Sequence, residues 1–366
     1  MNEKIIIRKL PPVSFIKFLN AVRSGLIWMN QKMFPANVVL YELFQNLWLL
    51  PCVKVAAELD IAKLLKDKPR SIEELAALTH TNPGNLFRLM RALSSKGIFR
   101  QLKDQQYANT AMSKSLIDGN GSLRYMILHH LGELNWDALS KLSLSVKTGK
   151  DAFSYIHGKR IYDFLKDHPD ESERFDKSMT NLSELAIEPI LNAFDFSRFK
   201  TIVDIGCGEG LLLSSILYKH KNINGILFDL PDGLRKSQEI LQRYGVTGRV
   251  ETIPGSFFDK GLPQADAYIL KNILHNWSEP ECISILSNIR EAMSDNGNIL
   301  ILEMIISEGN RFSYGKLIDI QMMVFMHEGK ERTRNEYEEL LQKSGLTISG
   351  ITPTISPFSI IEARKT

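Results

Sequence analysis

The densest chemical signal lies just past mid-chain. Val203-Asp204-Ile205-Gly206-Cys207-Gly208-Glu209-Gly210 leaves a short apolar run and opens a helix. Closely spaced glycines let the backbone turn tightly and let a ligand approach it. The spacing is G-x-G-x-G, with Leu at 211, whereas the dinucleotide fingerprint requires G-x-G-x-x-G. Asp204 would repel a pyrophosphate near the helix start and suits a cationic ligand. An ordinary strand-to-helix turn would use the same residues. A second acid, Asp229, follows 23 residues after Gly206 and ends the next apolar run. An acid at the carboxyl end of a second strand accepts hydrogen bonds from both ribose hydroxyls. Before Pro231 it also suits a helix N-cap. The two features together predict an adenosine-type ligand.

The elements that must position these residues follow from periodicity. Short apolar runs at 201–205, 225–228, 250–252, 265–270 and 298–302 alternate with helical stretches near 210–219, 232–244, 279–293 and 333–344. That alternation predicts a doubly wound α/β fold, a parallel sheet with helices on both faces. Runs at 346–351 and 358–363, around Pro353 and Pro357, suit a hairpin at the sheet edge. Upstream, Phe15, Phe18, Leu19, Val22, Leu26, Met29 and Met33 form one apolar stripe on a helix over 13–33. A second helical region covers 38–66. Ser71 and Glu74 offer a capping box, Thr81-Asn82-Pro83 opens another helix, and Gly97 stops it. Strand-like pieces at 98–101 and 106–109 complete a winged-helix pattern. Residues 121–195 read as helical, with breaks around 147–151 and 168–171.

Composition narrows the class. The chain has 366 residues, 44% hydrophobic and 24% charged, which fits a folded protein of two or more domains. A formal charge of +3 is too small to argue for nucleic acid or an anionic membrane. Cys52, Cys207 and Cys282 form no C-x-x-C pair, and His129-His130 and His327 show no H-E-x-x-H spacing, so no metal site is expected. Three scattered cysteines fit a reducing compartment, and a cytoplasmic location is expected. Lys4, Arg8 and Lys9 imitate the charged start of a secretory signal, but the apolar stretch after them is short and broken by Lys17. No uninterrupted apolar run has the length of a membrane span.

Further blocks carry a resemblance. Leu270-Lys271-Asn272-Ile273-Leu274-His275-Asn276-Trp277-Ser278, then Glu303, then Gly329-Lys330-Glu331-Arg332-Thr333, resemble the S-adenosylmethionine-dependent small-molecule O-methyltransferases, the caffeate and acetylserotonin type with its bacterial relatives. The resemblance implies a Rossmann-like class I methyltransferase domain over 196–366. It also implies a winged-helix dimerisation domain over 1–110, a helical connector over 111–195 that lines the substrate pocket, and a homodimer. It places Asp204, Gly206 and Gly208 at the methionine part of S-adenosylmethionine and Asp229 at the ribose. Gly255, Ser256 and Phe257 fall at the adenine, Trp277 stacks near it, and Lys271 approaches the cofactor from the fourth strand. Phe153, Phe175, Met179, Asn276, Met323 and His327 fall at acceptor positions, where core packing is the competing reading. Ser256 and Asn276 each stand where the family usually has Asp.

The implied chemistry is methyl transfer from a sulfonium to a hydroxyl, an in-line displacement that depends on alignment. A phenol has a pKa near 10, so a histidine with an ordinary pKa near 6.5 is a suitable general base. His275 follows the fourth sheet strand and Glu303 ends the fifth, at the carboxyl edge where such sheets bind ligands. Glu303 and Glu331 would orient the imidazole and stabilise its protonated form from either side. A carboxylate inside the apolar run Ile301-Leu302-Glu303-Met304 is costly without a partner. Transfer to carbon or nitrogen, or a non-methylating descendant, is the alternative within enzymes. A winged-helix DNA-binding regulator, with Arg88 and Arg91 facing a groove, is the alternative outside them, and it lacks a clustered basic footprint.

Overall fold

The computed structural model describes residues 10–366. Lys4, Arg8, Lys9 and the beginning of the expected 1–110 domain lie outside the described residues. The chain divides into two compact units. Of the described residues, one comprises 10–20, Ala138–Asp167 and Ser183–Thr366, and the other Ala21–Asp137 and His168–Leu182. The helices expected over 121–195 are therefore shared between them.

The smaller unit contains the winged-helix pattern. Ser71 caps the helix Ile72–Thr79 by accepting from the Glu74 amide at 3.2 Å, and Glu74 returns a bond to the Ser71 amide at 2.9 Å. Asn82 caps Pro83–Ser95, and Gly97 closes that helix at φ 72°. The strands are β1 (Arg70–Ser71), β2 (Phe99–Gln101) and β3 (Gln106–Asn109), paired in the order β1-β3-β2. The two-residue β1 has no periodicity to betray it, and the sequence reading misses it. Leu75, Met90, Leu93, Phe99 and Tyr107 are fully buried in the core beneath. The helical region expected over 38–66 is Ala36–Glu58 followed by Ile61–Leu64. Asp60, left-handed at φ 52°, breaks it.

Val13–Met33 is helical as its stripe requires, yet its apolar side chains lie exposed in the single chain, Phe18 and Trp28 at 62% and Met33 at 70%. Ala36–Glu58 is exposed along most of its length. By length and composition alone it is apolar enough to cross a bilayer.

The larger unit is built on eight strands. They are β4 (Thr201–Ile205), β5 (Asn224–Asp229), β6 (Val250–Pro254), β7 (Ala267–Lys271), β8 (Asn298–Ile306), β9 (Arg332–Thr333), β10 (Leu346–Pro353) and β11 (Phe358–Lys365). The order is β10-β11-β8-β7-β4-β5-β6, with β9 pairing the far end of β8. Strands β4 to β8 are parallel, and the β10–β11 hairpin adds antiparallel at the edge. β7 and β5 flank β4 on opposite sides, so the chain reverses direction of winding at β4. Open α/β sheets bind their ligands at that crevice. β8 runs three residues beyond Glu303 because β9 pairs with Ile305 and Ile306. Glu303 is therefore inside its strand and not at its end. One helix, Tyr314–Phe325, was not foreseen.

Candidate active site

The glycine loop folds as its composition demands. Gly206, Gly208 and Gly210 sit at φ 65°, 55° and 79°, a region that a Cβ disfavours. A Cβ on Gly206 would lie 2.5 Å from Ile273 Cδ1, and one on Gly210 2.5 Å from Leu227 Cδ1. At Gly208 a Cβ would meet nothing within 4 Å, so the loop borders open space there. Asp229 ties the loop to the neighbouring strand. Its Oδ2 accepts from the Gly208 amide at 2.7 Å and its Oδ1 from the Leu230 amide at 2.7 Å. Burial raises the pKa of Asp229 above the usual carboxylate value, and the two amide bonds restrain that rise.

Buried Asp204 and half-buried Lys271 carry opposite charges near the ends of adjacent strands, β4 and β7. Burial pushes Asp204 up and Lys271 down, and each charge offsets the effect on the other. Lys271 donates to Ser183 Oγ at 2.8 Å. Beyond β6, Ser256 Oγ accepts from the Phe258 amide at 3.2 Å, closing the turn after Gly255. Trp277 meets Phe257 and Phe258 edge-on at 5.8 and 4.8 Å and stacks at 6.1 Å on Tyr162. These rings make an apolar, aromatic wall suited to a flat heterocycle. Acid at the strand end, open loop and aromatic wall together fit the adenosine part of a nucleoside cofactor.

His275 sits in the 3-10 turn Leu274–Asn276 after β7. Its Nδ1 is 2.7 Å from Glu331 Oε1. That bond commits Nδ1 and leaves Nε2 as the ring's other functional nitrogen. Burial alone would lower the imidazole pKa. The Glu331 bond and the charges of Glu303 and Glu331 outweigh it, and His275 rests above its ordinary value. Glu331 is 2% exposed, and its second oxygen, Oε2, is buried without a hydrogen-bond partner among the described residues. Its amide donates to Asp319 Oδ1 at 2.9 Å, on the unforeseen helix.

Glu303 departs from the expected role. It does not touch the imidazole from the other side. Its Oε1 accepts from the amides of Ile273, Leu274 and His275 at 3.1, 2.7 and 3.3 Å, and Oε2 accepts from the Tyr337 hydroxyl at 2.5 Å. A carboxylate at a strand interior is thus satisfied by the turn carrying the base, which answers its desolvation cost.

The expected acceptor positions scatter. Phe153 is fully buried among Phe164, Phe325 and His157. Met323 is half-buried, and the exposed His327 holds Nδ1 3.6 Å from the buried carboxylate of Asp151. Asn276 gives its side-chain amide to the Asn272 carbonyl at 2.9 Å, where Asn272 is left-handed at φ 55°. Phe175 and Met179 belong to the smaller unit, where Phe175 packs edge-on to His129 at 5.4 Å. Among the described residues no group of three or more His, Cys, Asp or Glu is placed to hold a metal.

A family model described as the O-methyltransferase domain matches residues 139–347, more than half of the chain. This chain belongs to the O-methyltransferase family. The family's dimerisation domain matches residues 41–119 of this methyltransferase. It is similar to a phenazine O-methyltransferase from Lysobacter antibioticus, 35% identical over 90% of this chain and 96% of that protein. It is also similar to an 8-amino-8-demethylriboflavin N,N-dimethyltransferase from Streptomyces davaonensis, 32% identical over 89% of this chain and 95% of that one. An O-methyltransferase from neocarzinostatin biosynthesis, solved with S-adenosylmethionine and a hydroxynaphthoic acid, superimposes with a TM-score of 0.73 at 28% identity, covering 87% of this chain and 96% of its own.

Several residues around the O-methyltransferase site escaped the sequence reading. Tyr162 and Ser183 lie on helices whose periodicity marks only buried faces. Asp319 interrupts the apolar segment Leu317-Ile318-Asp319-Ile320, a signal of the same kind as Glu303 in its strand. Arg332 lies inside the Gly329–Thr333 block, where its charge suggests a solvated loop, yet it is 2% exposed, and Tyr337 follows the block; no spacing assigns either a task.

Proposed function

We propose that this enzyme methylates a hydroxyl, phenolic in character, on a small aromatic specialised metabolite, with S-adenosylmethionine as methyl donor and His275 as general base. One observation carries the reading: the part-buried His275 Nδ1–Glu331 bond, in a chain of the O-methyltransferase family. Bound S-adenosylmethionine supplies an electrophilic methyl group on a sulfonium. Asp229 would hold the ribose hydroxyls, and Asp204, Gly206, Gly208 and Lys271 the methionine part. Gly255, Ser256, Phe257 and Trp277, with Tyr162, would enclose the adenine. His275 Nε2 would take the hydroxyl proton, and Glu331 would stabilise the imidazolium that results. Phe153, Asn276, Met323 and His327 are the acceptor-side candidates in the larger unit.

The functional protein is proposed as a homodimer. The exposed apolar faces of Val13–Met33 and Ala36–Glu58 are too large for a lone soluble chain, and most of the second lies within the matched dimerisation domain. Three unpaired thiols suit the cytoplasm.

Methyl transfer to nitrogen is the second reading. It is favoured by the similarity to a flavin N,N-dimethyltransferase. The test is turnover of isotopically labelled S-adenosylmethionine with phenols, phenazine-type and quinone-type hydroxyls, and aromatic amines. O-methyl ethers support the first reading, and N-methyl products alone replace it with the second.

A further inference from the structure

Arg332 is more deeply buried than an arginine normally is. It is 2% exposed, yet among the described residues it forms no ion pair. Burying a guanidinium without a carboxylate in contact is costly, and a packing role would be filled more cheaply by an apolar side chain. Its fork is spent on main-chain oxygens instead. Nη1 donates to the Leu274 carbonyl at 3.0 Å and to the Lys330 carbonyl at 3.3 Å, and Nη2 reaches the Trp277 carbonyl at 3.5 Å. Cys282 Sγ, 3.4 Å from Nη2, lies 3.1 Å from the same Leu274 oxygen.

These contacts complete a pattern. The turn from Ile273 to Trp277 points three amides at one carboxylate, Glu303, and two carbonyls at one guanidinium, Arg332. The two carbonyls bracket His275: Leu274 precedes it, and Trp277 carries the ring of the aromatic wall. The Lys330 carbonyl belongs to the residue before Glu331. One side chain therefore touches the main chain beside the imidazole, beside its carboxylate partner and at the tryptophan. The arginine fork is planar and rigid, so it fixes relative positions that a flexible ammonium would leave loose.

We propose that Arg332 is a positioning residue that sets the His275 ring and the Trp277 ring together, through the main chain of the turn, so that proton removal and cofactor binding depend on one side chain. This rests on His275 being the base. The guanidinium also opposes protonation of His275, against the pull of Glu303 and Glu331. The other ionisable groups packed around this cluster are Asp319 behind Glu331, Tyr337 on Glu303, and Lys330, which pairs with Glu336 at 2.9 Å.

The test is Arg332→Lys and Arg332→Met, each also made with His275→Ala, with kcat, S-adenosylmethionine affinity, pH–rate profile and Tm measured on the purified full-length enzyme. Arg332→Lys keeps the charge and loses the fork. It is expected to lose about tenfold or more in kcat and several-fold in cofactor affinity, with the acid limb of the profile unmoved. Arg332→Met removes the charge that opposes protonation, so its acid limb should move to higher pH. In the His275→Ala background the kcat effect of Arg332→Lys should vanish while the affinity effect persists. Parent-like kcat and affinity in Arg332→Lys overturn the proposal. So does an Arg332→Lys kcat loss that is fully retained without His275. If Arg332→Met does not fold, Arg332→Lys and its double variant decide alone. If His275→Ala by itself keeps parent turnover, it is the general-base reading that fails, and this outcome is separate from the Arg332 measurements.

Discussion

His275 has one nitrogen committed and one left for chemistry, and two predictions follow at this scale. His275→Ala should leave S-adenosylmethionine binding within a few-fold of the parent, since Asp229 and the glycine loop are untouched. Its kcat should fall by about 10²–10⁴. Calorimetry and single-turnover kinetics check the two halves separately. The parent activity should rise with pH as the imidazole loses its proton. Because His275 rests above its ordinary value, that limb should lie above pH ~6.5. Glu331→Gln removes a charge that favours the protonated ring, so the limb should move to lower pH while kcat declines. A profile flat from pH 6 to 9 in the parent would argue against proton removal as the limiting event. Glu303→Gln keeps an oxygen for the amides of the turn and is expected to slow turnover less than His275→Ala.

Between the strands, the glycine loop and Asp229 behave as one element. The sequence places both by spacing, and the structure adds that the Gly208 amide is held by the same carboxylate that would serve the ribose. Asp229→Ala should therefore cost more than its ribose bonds. Charge-assisted bonds contribute roughly 1.5–3 kcal/mol each, and tenfold in affinity corresponds to about 1.4 kcal/mol. Loss of S-adenosylmethionine affinity by tenfold or more is expected by calorimetry, together with lower Tm. Unchanged affinity would remove Asp229 from the site. The turn after β7 shows the same economy, with Glu303 receiving three consecutive amides. That use of a strand carboxylate depends on how β8 lies beside β7, and no spacing along the chain encodes it.

At the scale of the whole molecule, the exposed apolar helices dominate. Large exposed apolar patches mark association surfaces. Light scattering should report a dimer at micromolar concentration. Phe18→Asp with Trp28→Asp, on exposed faces of Val13–Met33, should shift it toward monomer or aggregate without altering the fold of the larger unit. A parent that stays monomeric at these concentrations would refute the homodimer.

Local periodicity and turn chemistry were enough to predict the alternating strands and helices from Thr201 onward, the capping box at Ser71, the wing strands β2 and β3 and the edge hairpin. Each of these is specified by residues close together in the chain. The G-x-G-x-G loop and Asp229 were legible for the same reason, since their signal is local spacing, whereas His275 and the Gly329–Thr333 block were marked by the family resemblance. Only the tertiary structure decided that Glu303 meets the amides and not the imidazole, that Tyr162 stacks on Trp277, and that Arg332 grips two carbonyls of the turn. Those contacts join residues 28 to 115 positions apart, and a buried polar group finds its partners by where strands and helices pack. Periodicity carries which face of an element is buried. It does not carry which side chain from a distant element will satisfy it.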